Sequence, residues 1–203
     1  MELLGLSRET FLLIYKISYY GGVVAICLGL TAIVLRTKCS FQELLALRYT
    51  PYYQSEVSAF ILFLAVALVY LASAFGIPFL EQAISKVADF NARTGVLMSE
   101  QEKNVQLFGK YFMKTMLEFV LVYFTIVVHK NNEITRSKFT NAILTISFLY
   151  GCWHLVRALD VTYFQTNYLQ SVYGPFNVLL TALVSLLMLI YAFIVTKKAY
   201  KEF

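Results

Sequence analysis

Two ionisable side chains stand where so apolar a chain makes them costly. Glu118 and His154 fall inside long hydrophobic stretches, with Lys114 and Tyr150 one helical turn before them and Arg157 about one turn after His154. A carboxyl group and an imidazole held together away from water can exchange a proton, or bind an ion or a small polar molecule. The structural alternative is glue: Glu118 pairs with Arg157 or Lys114, His154 bonds Tyr150 or Ser147, and the network fixes how helices pack. A buried carboxylate needs a cation beside it to stay charged, so the chemistry turns on its partner.

Other chemistries find little support. Cys27, Cys39 and Cys152 are far apart, with no C-x-x-C and no histidine at ligand spacing. Neither a metal site nor a disulfide framework is expected. His129, beside Lys130, belongs at the opposite membrane surface from His154, too distant for the pair to hold one haem, and no cofactor is expected. The sequence has no G-x-S-x-G elbow, H-E-x-x-H pair, Walker loop or dinucleotide fingerprint. Intramembrane sites can still be assembled from scattered polar residues.

Composition sets the elements that must hold these residues. Of 203 residues, 59% are hydrophobic and 14% charged, with a mean hydropathy of +0.66. Soluble proteins run at about 45–50% apolar and about 25% charged. The excess must face lipid, because one core of this size cannot hide it. Three prolines and nine glycines exclude a collagen-like or disordered chain. The net charge of +5 comes from basic residues dispersed in short loops, so no nucleic-acid partner is expected.

Five stretches are long enough to cross about 30 Å of hydrocarbon as helices: Ile17 to Leu35, Val57 to Leu80, Tyr111 to Val128, Phe139 to Ala158, and Tyr173 to Val195. The expected fold is an all-α polytopic transmembrane bundle, a single integral membrane domain over 1–203. Residues 1–16 either form an interfacial segment or extend span one. No cleaved leader is expected, since a basic n-region and a small-residue cleavage site are both missing. Nine lysines and arginines follow spans one, three and five, among them Arg36, Lys130 and Lys197, against six spread over longer segments on the other side. The positive-inside rule then predicts an outer N-terminus and a cytoplasmic C-terminus.

Ser40 and Glu43 form a capping-box pattern that predicts a short helix after span one, ending near Thr50 and Pro51. Residues 81–110 predict an outer helical hairpin continuing spans two and three: Leu80, Ile84, Val87 and Phe90 recur at helical spacing, Gly95 ends that helix, and Ser99 with Glu102 opens the next. Val96, Leu97 and Met98 form an apolar triplet at its tip. Residues 160–172, with Tyr163, Phe164 and Tyr168, predict a surface or re-entrant segment at the outer interface. Tyr19, Tyr20, Tyr52, Tyr53, Trp153 and Tyr173 read as interfacial anchors.

Within the spans, Gly21, Ala25 and Gly29 make a small-residue ladder for close helix packing, and Ala65, Ala72 and Gly76 offer span two as its neighbour. Polar stripes mark the other three spans: Tyr111, Lys114, Glu118, Thr125 and His129; Thr140, Ser147, Tyr150, His154 and Arg157; and Asn177, Thr181 and Ser185. They must turn inward, since polar atoms in lipid need partners. The expected function is that of a non-enzymatic multi-pass subunit of a larger membrane assembly, including a homo-oligomeric pore built on the span-one ladder and the hairpin. Its partners are the lipid bilayer and further copies or other membrane subunits. The alternative is a small transporter or intramembrane enzyme handling a lipid, proton or small polar molecule at Glu118 and His154.

Overall fold

Helix length follows from the uninterrupted apolar runs. The computed structural model describes residues 8–93, 100–164 and 168–201, and among them there are helices and no strands. They are α1 (Arg8–Thr37), α2 (Phe41–Leu45), a 3-10 turn at Pro51–Tyr53, α3 (Gln54–Arg93), α4 (Glu100–Asn131), α5 (Lys138–Thr162) and α6 (Gln170–Tyr200). Five of these, all but α2 and the 3-10 turn, are long and apolar enough to cross a membrane. The fold is an all-α bundle of five spans.

The bundle has two ends: the α3–α4 end, where α1 and α6 also begin, and the α4–α5 end. α3 runs unbroken through Pro78 for 40 residues, about 60 Å at 1.5 Å per residue. α4 has 32 residues. Both exceed the roughly 30 Å of a hydrocarbon core, so they project past it at the α3–α4 end, as the capping and periodicity signals over 81–110 anticipate. Leu80, Ile84, Val87 and Phe90 lie on α3, as their helical spacing predicts, while the triplet at Val96, Leu97 and Met98 lies outside the described residues.

Two segments outside the expected spans take a defined course. α1 begins at Arg8, so residues 8–16 are helical and continuous with the first span, whose apolar stretch starts at Leu13. Of the expected outer segment over 160–172, α5 takes the residues up to Thr162 and α6 those from Gln170, Tyr163, Phe164 and Tyr168 between them are exposed, and 165–167 lie outside the described residues. Asp160 ties the two helices together. It is an α5 residue, its carboxylate pairs with Arg157 one turn back, and it accepts the Leu169 N–H at 3.2 Å from the far side of the connection. The link between α5 and α6 is thereby held short.

At the α4–α5 end, helices stop without glycine. Lys38, Leu47 and Glu133 adopt left-handed φ values of 55°, 54° and 54°, and Arg48 N–H and Ile134 N–H bond back to the carbonyls of Glu43 and His129, which satisfies carbonyls the ending helices would otherwise strand. α2 opens on the expected capping box. Glu43 accepts the Ser40 N–H at 2.6 Å and hydroxyl at 2.8 Å, while Ser40 Oγ accepts the Glu43 N–H at 3.2 Å. The Ser40 backbone N–H, and then its hydroxyl, hold the Glu43 carboxyl below the usual carboxylate value. A depressed folded value means that this stabilisation is present above the usual value and lost as pH falls through the depressed one. The protection of the Phe41–Leu45 amides, their exchange corrected for the intrinsic rate at each pH, should therefore hold from neutral pH into the mildly acidic range and fall below it, and Ser40→Ala should lower it already at neutral pH. A flat wild-type profile would rule this out.

α1 packs chiefly on α6, which runs parallel to it, and less extensively on α3; α4 packs chiefly on α5. The expected span-one ladder is displaced by one residue at its start. A Cβ on Gly21 would meet nothing within 4 Å, whereas one on Gly22 would lie 2.5 Å from Tyr70 Oη and 2.9 Å from Ser185 Oγ. Ala25 and Gly29 are buried as expected, Gly29 against the Phe63 ring. Ser185 donates to the Ser18 carbonyl at 2.8 Å, so Ser18, Gly22, Ala25 and Gly29 form a face used up inside the bundle. It is not available as an interface between copies.

Candidate functional site

The three polar stripes do turn inward. Thr125, His129, Thr140, Ser147, His154, Arg157, Asn177 and Ser185 are all buried. They separate into one network at each end of the bundle and a cavity near the α3–α4 end.

At the α4–α5 end, α3, α4 and α5 are joined through Ser58. His129 Nδ1 donates to the Thr125 carbonyl at 2.7 Å, so Nε2 is the acceptor for the Ser58 hydroxyl at 2.8 Å. Ser58 Oγ accepts the Ser137 N–H at 3.0 Å and, with its own proton committed to His129, the Thr140 hydroxyl at 2.9 Å. The hydroxyl of Ser137 then completes the run to Thr140 at 2.9 Å. Ser58 has no exposed surface. This is a satisfied network that fixes three spans, not a nucleophile awaiting substrate. Beside it, Arg36 approaches Glu56 to 3.9 Å and lies 5.6 Å from the centre of the Tyr53 ring.

At the other end, a cavity of about 110 Å³ is walled by all five spans. Tyr15 and Tyr19 come from α1, Tyr70 and Ser73 from α3, Lys114 and Glu118 from α4, Ser147, Tyr150 and His154 from α5, and Thr181 from α6. Close approach of α4 and α5 at this level depends on Gly151, where a Cβ would stand 2.7 Å from the Phe119 ring and 3.2 Å from Glu118 Cβ. Tyr19 stacks on Tyr70 with centroids 4.9 Å apart, and Tyr150 lies 4.3 Å from the His154 ring.

The sequence-derived cluster is thus partly assembled. Glu118, His154, Lys114 and Tyr150 share the cavity, while Arg157 does not line it. Arg157 turns instead to Asp160 and lies over the rings of Tyr111 and Tyr173, 5.6 and 5.9 Å from their centres. Among the described residues no ion pair joins Glu118 to Lys114 or Arg157. Glu118 and Ser147 share the cavity wall. Nor does His154 bond Tyr150 or Ser147: its Nδ1 is 2.6 Å from the Tyr173 hydroxyl. His154 Nε2 is left for the cavity.

Several of these positions escape the sequence. Tyr19 and Tyr173, expected as interfacial anchors, are inward groups, whereas Tyr20, Tyr52, Tyr163 and Tyr168 do sit exposed. A signal for Tyr173 exists, because Tyr173, Asn177, Thr181 and Ser185 recur every four residues and extend the α6 stripe by one turn. Asp160 follows Arg157 at i+3, a helical pairing distance. Nothing local marks Ser58 or Tyr70. Among the described residues no three His, Cys, Asp or Glu side chains come together as a metal site.

A second, more open cavity of about 390 Å³ adjoins the first and shares Tyr15, Tyr19, Ser73 and Lys114 with it. Its other walls include Lys16, Tyr20 and Lys110. The two form a vestibule and an inner chamber, opening between α1, α3 and α4. No protein-family model, curated protein or solved structure matches the chain.

Proposed function

We propose that this protein binds a small polar molecule or lipid headgroup in the five-helix cavity, as a small transporter or lipid-handling membrane protein. The observation that carries this is the wall of the inner chamber, to which every span contributes and into which Glu118 and His154 bring ionisable groups not committed to each other or to Arg157. Polar groups kept at that depth are costly unless they serve a ligand or bind one another. The surplus of lysine and arginine in the loops at the α4–α5 end supports a cytoplasmic assignment for that end, with the cavity opening outward.

The test is retention of small molecules by native mass spectrometry, comparing wild type with Glu118→Gln and His154→Ala. Each variant should keep the wild-type helical content and lose the retained species by about tenfold or more, the worth of a hydrogen bond to a charged or buried group. Equal retention in all three, or loss of folding in both variants, would return the pair to a packing role.

The assembly reading keeps one support of its own, the projection of α3 and α4 beyond the membrane thickness. Subunit number in the same spectra checks it, with a discrete oligomer expected if the projection docks a second copy.

A further inference from the structure

Resting on that reading, the geometry points to a zwitterionic ligand, an aminoalkyl phosphate whose primary ammonium enters the inner chamber while its phosphate remains in the vestibule. The two cavities differ in charge. Among the described residues that line the vestibule, Lys16, Lys110 and Lys114 are the charged ones. Lysine ammonium groups are compact point charges suited to phosphate oxygens. The inner chamber holds the carboxyl group of Glu118, for which a ligand's ammonium would supply the neighbouring cation, and Lys114 stands at the boundary between the two.

Tyrosine makes the inner chamber suitable for a cation. Tyr15, Tyr19, Tyr70 and Tyr150 contribute to its wall, and aromatic faces attract ammonium groups, more strongly when water is excluded. A carboxylate and the hydroxyls of Ser73, Ser147 and Thr181 add hydrogen-bond acceptors, which a primary ammonium can use and a quaternary one cannot. The volume of about 110 Å³ admits a few water-sized groups, enough for an aminoethyl arm. The phosphate then reaches the shared wall at Lys114, and whatever it carries extends into the larger vestibule. Exposed Lys16 and Tyr20 place that vestibule at the side of the bundle, where an acyl chain would meet lipid.

The same chemistry is offered by a phosphatidylethanolamine headgroup and by soluble O-phosphoethanolamine, and the experiment separates them. Purified full-length protein is given equimolar phosphatidylethanolamine, phosphatidylglycerol and phosphatidylcholine in detergent, and bound lipid is read by native mass spectrometry; O-phosphoethanolamine is titrated calorimetrically in parallel. Wild type should favour phosphatidylethanolamine over both other lipids by about tenfold, and Glu118→Gln should bring the ratio to phosphatidylglycerol near one while still binding. Lys110→Gln should weaken all three lipids together, and this substitution at the vestibule keeps the proposal testable if Glu118→Gln does not fold. Binding of O-phosphoethanolamine alone, with the same dependence on Glu118 and Lys110, would assign a soluble source; its failure beside lipid binding would assign the headgroup. Equal wild-type retention of the three lipids with no calorimetric binding, an unchanged preference in a folded Glu118→Gln, or an unaltered Lys110→Gln would overturn the zwitterion assignment while leaving the cavity a binding site. Retention of no small molecule of any kind would instead defeat the functional reading beneath it.

Discussion

Exchanging Asp160 for Ala lowers the unfolding free energy of the bundle by about 3–5 kcal/mol, the cost of leaving a buried ion without its counter-charge. Arg157 and Asp160 are 3% and 5% exposed, so solvent does little to screen the loss. The carboxylate also accepts the Leu169 N–H, and its removal loosens the short link into α6. Arg157 is held over Tyr111 and Tyr173, so the guanidinium cannot swing to water without disturbing both rings. The double substitution Arg157→Met with Asp160→Leu should recover most of the loss, because it removes both charges and fills the same space. Detergent-to-SDS titration followed through Trp153 fluorescence measures all three proteins. A loss in Asp160→Ala of under about 1 kcal/mol, the range of exposed pairs, would contradict the account.

The second large effect is steric. Gly29→Leu is expected to destabilise by about 3 kcal/mol or more, at the upper end of overpacking penalties. A Cβ at Gly29 alone would stand 2.5 Å from two atoms of the Phe63 ring. That ring is fully buried, with Phe139 and Tyr191 centred 5.9 and 6.1 Å away, so it has nowhere to go. Gly21→Leu is the matched control, since a Cβ there meets nothing within 4 Å. It should change stability by no more than about 0.5 kcal/mol. Equal losses in the two variants would show that the small-residue face is not where the geometry puts it.

That contrast marks the limit of what the residues alone reveal. Span number and boundaries are legible because lipid imposes a length and a composition. Helix starts such as Ser40 are legible because capping is local. The inward stripes on α4, α5 and α6 are legible for the same reason, being one-helix periodicities. Rotation about α1 is not. Gly21 and Gly22 both continue a small-residue pattern toward Ala25 and Gly29, and the choice is made by Tyr70 and Ser185 on two other helices. Pairing is equally non-local: Glu118 has suitable cations at Lys114 and Arg157, yet Asp160 takes Arg157, leaving the cavity with a carboxyl group that sequence arithmetic assigns to an ion cluster. Tyr19 and Tyr173 look like interfacial anchors because aromatic residues near span ends usually are, and only the neighbouring helices show that they face inward.

The parallel pairing of α1 with α6 has a consequence for how the chain is made. Ser18 and Ser185, bonded to each other, are 167 positions apart, and at about 5–20 residues per second of synthesis that interval is on the order of 10–30 s. During it, the first span waits in the bilayer with Ser18 and Gly22 facing lipid or a temporary companion, while the three spans between are inserted. The bundle is closed by its fifth helix, so a ribosome stalled before residue 170 would release four spans with an open seam, the kind of surface that membrane quality control and insertion chaperones detect.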